Sequence, residues 1–236
     1  PPPIEDPGHG LGDLEIVAKV RIAGDELEIA LESPDQIPFY INSYEANTVS
    51  GVFLGLLEWA QVPPPYNEGL YRCVTVDPGR EGSLTNAKMP APCGSSTSCP
   101  AEPIADAVRK ALLEIATPRY AIAEWGRTFG VNIAGTDPRN GEYFVNYMLG
   151  SLIAGAGAVD GQMDGWHMIG PADALGAVTC GDSEVLELLY PIVIHEYSIR
   201  GDSGGAGKYR GGCGAARVVE PLGAIDVVGC GGGMKD

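Results

Sequence analysis

The sequence predicts an α+β fold, with helices and antiparallel sheets mixed along the chain and joined by many glycine-rich turns. Three observations predict it. Near the start, two runs alternate apolar and polar residues with period two around the turn Ala23-Gly24-Asp25, the pattern of a half-buried hairpin. Two later stretches carry apolar residues at helical spacing. No regular β-α-β alternation follows, which argues against a parallel α/β sheet. Glycine makes up 34 of 236 residues, roughly twice its usual share, so turns are frequent.

The first strand spans residues 14–22, with Leu14, Ile16, Ala18, Val20 and Ile22 on one face and Glu15, Lys19 and Arg21 on the other. Leu27, Ile29 and Leu31 alternate with Glu26, Glu28 and Glu32 to give the second, with the glutamates facing solvent. After Pro38, Ala46, Val49, Val52, Phe53, Leu56, Leu57 and Ala60 recur at helical spacing, so residues 44–60 read as a helix stopped by Pro63-Pro64-Pro65. Gly51 and Gly55 share a face of it, where a neighbouring backbone can come close. A polar loop from Tyr66 to Arg72 leads into a short strand, 73–76, and a turn at Asp77-Pro78-Gly79. A loop rich in Pro, Ser, Gly and Cys covers 88–100. Pro103 opens a second helix whose stripe is Ile104, Val108, Ala111, Leu112 and Ile115. Residues 120–141 read as irregular, and an apolar helix is expected from Glu142. Two Asp-Gly turns, Asp160-Gly161 and Asp164-Gly165, place His167 on a loop. Residues 184–200 read as two strands divided by Tyr190-Pro191, and strands 215–220 and 224–230 follow.

Between those last pairs lies Asp202 to Gly214, thirteen residues of which six are glycine. No element interior tolerates that density, so the segment is a chain of tight turns. It is not a phosphate-binding P-loop: Gly207-Lys208 is followed by Tyr209, and Asp202 stands where the first glycine belongs. Nor is it a dinucleotide fingerprint, because Arg210 stands in place of the third glycine.

A formal net charge of −16 argues against nucleic acid and anionic membrane as partners. The longest uncharged stretch, Tyr143 to Val159, is 17 residues broken by three glycines. That is short for a membrane span. Six cysteines include no C-x-x-C pair, and reduced thiols in a cytoplasmic protein are expected. A start at Pro1-Pro2-Pro3 and an end at Met234-Lys235-Asp236 lead us to expect a piece of a longer protein.

Several segments then fall in one order: Tyr40-Ile41-Asn42, Asn67-Glu68-Gly69-Leu70-Tyr71-Arg72, Glu81-Gly82-Ser83-Leu84, Asp160-Gly161, Gly165-Trp166-His167, Glu184 to Leu188 with Tyr190-Pro191, and Ser203 to Gly212. In this order the chain resembles the hydantoinase B family, which includes 5-oxoprolinase and the large subunits of acetone and acetophenone carboxylases. The resemblance implies that residues 1–236 form the C-terminal part of a hydantoinase B-like subunit, without the family's metal-binding N-terminal half. His9 matches no part of that metal motif, so no metal ligand is assigned to this chain. The resemblance also implies a hetero-oligomer in which a kinase-like, hydantoinase A-type subunit binds ATP with Mg or Mn and phosphorylates a carbonyl oxygen.

Two reactions share the family. Cyclic amide hydrolases open the activated ring with water, and ketone carboxylases join the activated enol to carbon dioxide from bicarbonate. Cys213 and the Ile41–Asn47 stretch look more like the carboxylases, and an aromatic-rich middle would suit an aryl ketone. The residues after His167 match neither branch. An ATP-dependent ketone carboxylase subunit is therefore the expectation, with a cyclic amide hydrolase or a scaffold subunit as alternatives. The expected catalytic residues are His167 for proton transfer, Asp160 to orient it, and Arg72 to hold a phosphate or carboxylate. Asn42, Asn67 and Glu68 are the expected substrate-binding residues. The structural alternative for His167 is a solvated residue on a turn.

Overall fold

The computed structural model describes residues 4, 10, 12–62, 65–94, 96–97, 99–116, 129–149, 155–157, 163–170 and 180–231. They fall into two compact units, divided between Glu124 and Trp125. The class is α+β, as the mixed pattern predicts.

The first unit opens with the expected hairpin. Strands β1 (Val17–Ala23) and β2 (Glu26–Glu32) pair antiparallel from Val17↔Glu32 to Ala23↔Glu26. Arg21 sits opposite Glu28 and the two side chains are ion-paired, as cross-strand neighbours of opposite charge should be. Strand β3 (Val74–Asp77) joins β2 in parallel, which departs from an all-antiparallel reading. The short helix α2 (Glu68–Tyr71) occupies the loop before it; Asn67 caps it by accepting from Gly69 N at 2.9 Å.

Helices α1 (Glu45–Ala60) and α3 (Ala101–Ile115) pack against each other and build the core with β2. Ile29, Leu31, Val52, Leu56, Ile104, Val108 and Leu112 are its buried members. Pro103 lies in the first turn of α3, where its missing N–H removes no helical bond. The shared face expected of Gly51 and Gly55 is the α1–α3 contact: a Cβ on Gly55 would collide with the carbonyl of Ala105. The same contact buries a charged cluster. Arg109 pairs with Glu58 of α1 and Asp106 of α3, and Glu102 is buried in the same helix.

In the second unit, β4 (Phe129–Thr136) is flanked by β5 (Tyr143–Leu149) and β8 (Ile225–Gly231), all antiparallel. Helix α4 (Ser183–Leu189) leads into β6 (Ile192–Ile199), which pairs antiparallel with β7 (Ala215–Pro221). Ile133 and Ile192 are buried, with Val131, Phe144, Leu186 and Ile225 packed around them.

Three expectations are corrected here. The helix expected from Glu142 is strand β5 over its described part, because Tyr, Phe and Val fit a pleated surface and β4 supplies the backbone partners. Residues 129–136, read as irregular, form the central strand. Residues 183–189, read as a strand, form α4, started by the Asp182 side chain accepting from Glu184 N at 3.0 Å.

Candidate functional site

The glycine-rich segment of the second unit lies along the loop that carries His167. Gly165 N donates to Arg210 O at 2.7 Å and Met168 N to Cys213 O at 3.0 Å. A third piece of chain joins them, with Gly212 N donating to Ala156 O and Ala156 N to Trp166 O. Glycine is required because the three backbones almost touch. A Cβ on Gly212 would collide with Trp166 O, one on Gly165 with Ala156 O, one on Gly155 with Gly212 O, and one on Gly204 with Gly211 O.

Five consecutive amides of the segment are already committed. Arg210 N donates to Asp164 Oδ1, Gly211 N to Gly205 O, Gly212 N to Ala156 O, Cys213 N to His167 Nδ1, and Gly214 N to Ser203 Oγ. A phosphate cradle needs such amides free to point at the anion. These five amides are therefore not available to a nucleotide's phosphates. The described residues also bring together no group of three or more His, Cys, Asp or Glu side chains able to hold Mg or Mn.

The segment instead walls a cavity of about 110 Å³, lined by Asp164, His167, Asp202, Gly204, Arg210, Gly211 and Cys213. This is room for a few waters or one small polar group. Its chemistry is mixed: two carboxylates, a guanidinium, an imidazole and a thiol. His167 Nδ1 accepts from Cys213 N at 2.7 Å, so the backbone fixes the ring's orientation. Asp164 Oδ1 accepts from Arg210 N at 2.7 Å and so ties the loop of His167 to the glycine-rich segment. Asp202, at φ +60, and Met168, at φ +49, hold left-handed conformations beside the cavity. Such conformations are uncommon outside glycine and recur at functional sites.

The residues expected from sequence are distributed as follows. His167 lies on the cavity. Asp160 lies outside the described residues. Asn67, Glu68 and Arg72 stand together at α2 in the first unit, all exposed, with Arg72 at its C-terminal end. Asn42, also in the first unit, is fully buried: Oδ1 accepts from Ile37 N at 2.8 Å, and Nδ2 reaches the carbonyls of Ile37, Phe39 and Pro92. Sequence reasoning assigned no catalytic role to Asp202, Arg210 or Cys213. The available signal was their position at the corners of a glycine-rich run, since side chains standing among glycines define a wall's chemistry.

His195, in β6, bonds Glu220 of β7 at 2.6 Å. Beside the same pair of strands Arg217 donates to Cys180 Sγ at 2.7 Å and lies 4.1 Å from the centre of the Tyr197 ring. Burial, with help from Cys180 and against the pull of Arg217, pushes the Tyr197 phenol up to about 12. Cys73, Cys93, Cys180 and Cys213 are thiols outside any disulfide. No helix among the described residues is long and apolar enough to cross a membrane.

Comparison with known proteins places these observations in context. The Hydantoinase B/oxoprolinase family matches residues 4–235. The caprolactamase subunit beta of Pseudomonas jessenii is 55% identical over 234 residues, covering 98% of this chain and 40% of that protein. The crystal structure of the ATP-dependent caprolactamase from the same organism superposes with a TM-score of 0.83 at 51% identity, over 95% of this chain and 38% of that one. A nucleotide-free acetone carboxylase superposes with a TM-score of 0.71 at 20% identity, over 92% of this chain and 29% of that one. This last likeness concerns the fold alone. The chain spans about two fifths of the length of the caprolactamase subunit.

Proposed function

Because the chain belongs to the hydantoinase B/oxoprolinase family, we propose that it is part of a subunit of an ATP-dependent cyclic amide hydrolase. The observation that carries this reading is its 55% identity, over almost its whole length, with a caprolactamase subunit beta. The ketone carboxylation expected from the sequence, with its ketone and bicarbonate, has the weaker support. The resemblance at Cys213 and Ile41–Asn47 rests on a few residues, whereas the identity to the caprolactamase subunit runs through 234.

In this reading the chain forms the C-terminal part of its subunit and works beside a kinase-like partner in a hetero-oligomer. ATP and its divalent ion belong to that partner. The amides of residues 210–214 favour this division of labour, since they are already bonded within the chain and are not available to phosphates. The substrate reaching this site is an amide already phosphorylated on its carbonyl oxygen. A water oxygen forms a bond to the former carbonyl carbon, its two protons pass to the nitrogen as the carbon–nitrogen bond breaks, and a second water cleaves the acyl phosphate so formed to the open-chain carboxylate and phosphate. The cavity lined by Asp164, His167, Asp202, Arg210 and Cys213 is the proposed place for the reacting group. Preorganised donors and a cation there would stabilise the oxygen added from water as it gives up its protons and its negative charge grows. In the first unit, Arg72, Asn67 and Glu68 remain the proposed holders of a phosphate or carboxylate.

The test is made on the assembled complex with ATP. Ring opening of caprolactam, 5-oxoproline and hydantoin is measured beside fixation of labelled bicarbonate with acetone and acetophenone. Hydrolysis of at least one cyclic amide is expected. Bicarbonate fixation with no amide hydrolysis would overturn the proposal.

A further inference from the structure

We propose that His167 acts by donating a hydrogen bond through Nε2–H to the oxygen added from water, which gains negative charge as it gives up its protons, and does not itself carry protons. This rests on the hydrolase reading above and assigns the residue's role within it.

The argument starts at the other ring nitrogen. Cys213 N lies 2.7 Å from His167 Nδ1 and donates to it. A nitrogen that accepts cannot hold a proton, so the neutral ring carries its one proton on Nε2. To act as a general acid, the ring would first have to be an imidazolium with a proton on Nδ1. To act as a base at Nε2, it would need the other neutral form, again with the proton on Nδ1. Either state sets two N–H donors against each other at hydrogen-bond distance. The Cys213 amide is not free to turn away, because both of its neighbours are tied down. Met168 N donates to Cys213 O, Arg200 N to Gly214 O, and Gly214 N to Ser203 Oγ. Gly212, with Trp166 O where a Cβ would stand, holds the same strand from the other side.

What the ring still offers is a fixed N–H. A neutral imidazole in that role polarises a carbonyl without giving up its proton. His167 and Arg210 both line the cavity, so an N–H and a cation stand on one small volume. The two protons that leave the attacking water pass in turn through a carboxylate of the same wall, Asp164 or Asp202, to the departing nitrogen. No proton is created or lost, and the imidazole stays as it began.

Two variants and one spectrum test this. Gln keeps an N–H at the position of Nε2, and Ala removes it. In the assembled complex, His167→Ala should lower kcat by about a hundredfold or more, the usual cost of losing one such donor. His167→Gln should retain at least about ten times the turnover of the Ala variant. Equal losses in both would identify a proton carrier and overturn the inference, as would two variants that match the parent. Independently of any substrate, magic-angle-spinning NMR of the complex labelled with 15N-histidine reads the ring directly, and the Gln variant identifies the His167 signals. A protonated Nε2 beside an unprotonated Nδ1 at pH 8 is expected. A protonated Nδ1, or shifts averaged between the two nitrogens, overturns the proposal even if the amide reading stands. If the parent opens no cyclic amide, the functional reading fails and the spectrum alone decides this one.

Discussion

Replacing Glu58 by Gln is expected to stabilise the first unit at pH 8 and to change it by less than about 1 kcal/mol at pH 5, although it removes one half of an ion pair. Glu58 projects from α1 into the contact with α3, where its side chain is 4% exposed and that of Arg109 only 1%. One guanidinium serves Glu58 and Asp106, and Glu102 adds a third buried carboxylate. Burial pushes the Glu58 carboxyl up to about 7; Arg109 opposes this, while Asp106 and Glu102 reinforce it. The folded state thus holds this proton more tightly than the unfolded chain does. Its contribution is complete below about pH 4.5 and is lost as the pH rises through about 7. The interval corresponds to about 3 kcal/mol. Gln stands in for the protonated acid at every pH, so at pH 8 the variant should lead the parent by about that amount. In urea this is a rise in midpoint of about 1 M or more. The assay is urea unfolding of the full chain at pH 5 and pH 8, with hydrogen exchange of the α1 and α3 peptides reporting on the unit. A variant that is less stable than the parent at pH 8 by about 3–5 kcal/mol, the usual cost of breaking a needed buried pair, would refute the reasoning.

The remaining expectations test the seams and the β6–β7 pair. Gly212→Ala should destabilise the second unit by about 1–3 kcal/mol or more, whereas Gly205→Ala, with nothing within 4 Å of the added carbon, should stay within about 0.5 kcal/mol of the parent; equal melting temperatures for the two would contradict the seam. Gly55→Ala should lower stability despite its gain in helix propensity, because the new carbon meets the Ala105 backbone rather than a side chain that can turn aside; a thermal melt above the parent's would show that α3 yields. Tyr197 should stay protonated in an ultraviolet titration until about pH 12. Its contribution to stability is full below about pH 10 and declines from there to about 12. Arg217→Met should push the phenol higher still, since the guanidinium opposes a shift whose largest cause is burial; a fall toward the ordinary tyrosine range would refute that assignment.

The parts of the fold legible in the sequence were those whose pattern is set by one period. The β1–β2 hairpin alternates over fourteen residues in the register found, and α1 and α3 carry unbroken apolar stripes. The errors came where a short apolar run suits either period. Residues 143–149 lack charge, and nothing local says that β4 waits to pair with them. Residues 183–189 are apolar at 185, 186, 188 and 189, which fits two turns of helix as well as a buried strand; the Asp182 cap was the deciding signal. At the site, the turns before His167 were legible, but its Nδ1 partner was not. That partner is a backbone amide 46 residues away, and backbone amides leave no trace in composition. Asn42 shows the converse: a polar residue in a family-like segment whose whole amide is occupied by the chain around it.

The glycine seam has a consequence for anyone redesigning the pocket. At Gly155, Gly165, Gly204 and Gly212 the place of a side chain is already filled by a carbonyl oxygen, so these positions are closed to every other amino acid while the seam holds. Reshaping by bulk, the usual first move in altering substrate preference, is blocked along that wall. Variation is left to the positions that present side chains, Asp164, His167, Asp202, Arg210 and Cys213. A combinatorial library over those five can be screened in full, and improved variants should keep all four glycines.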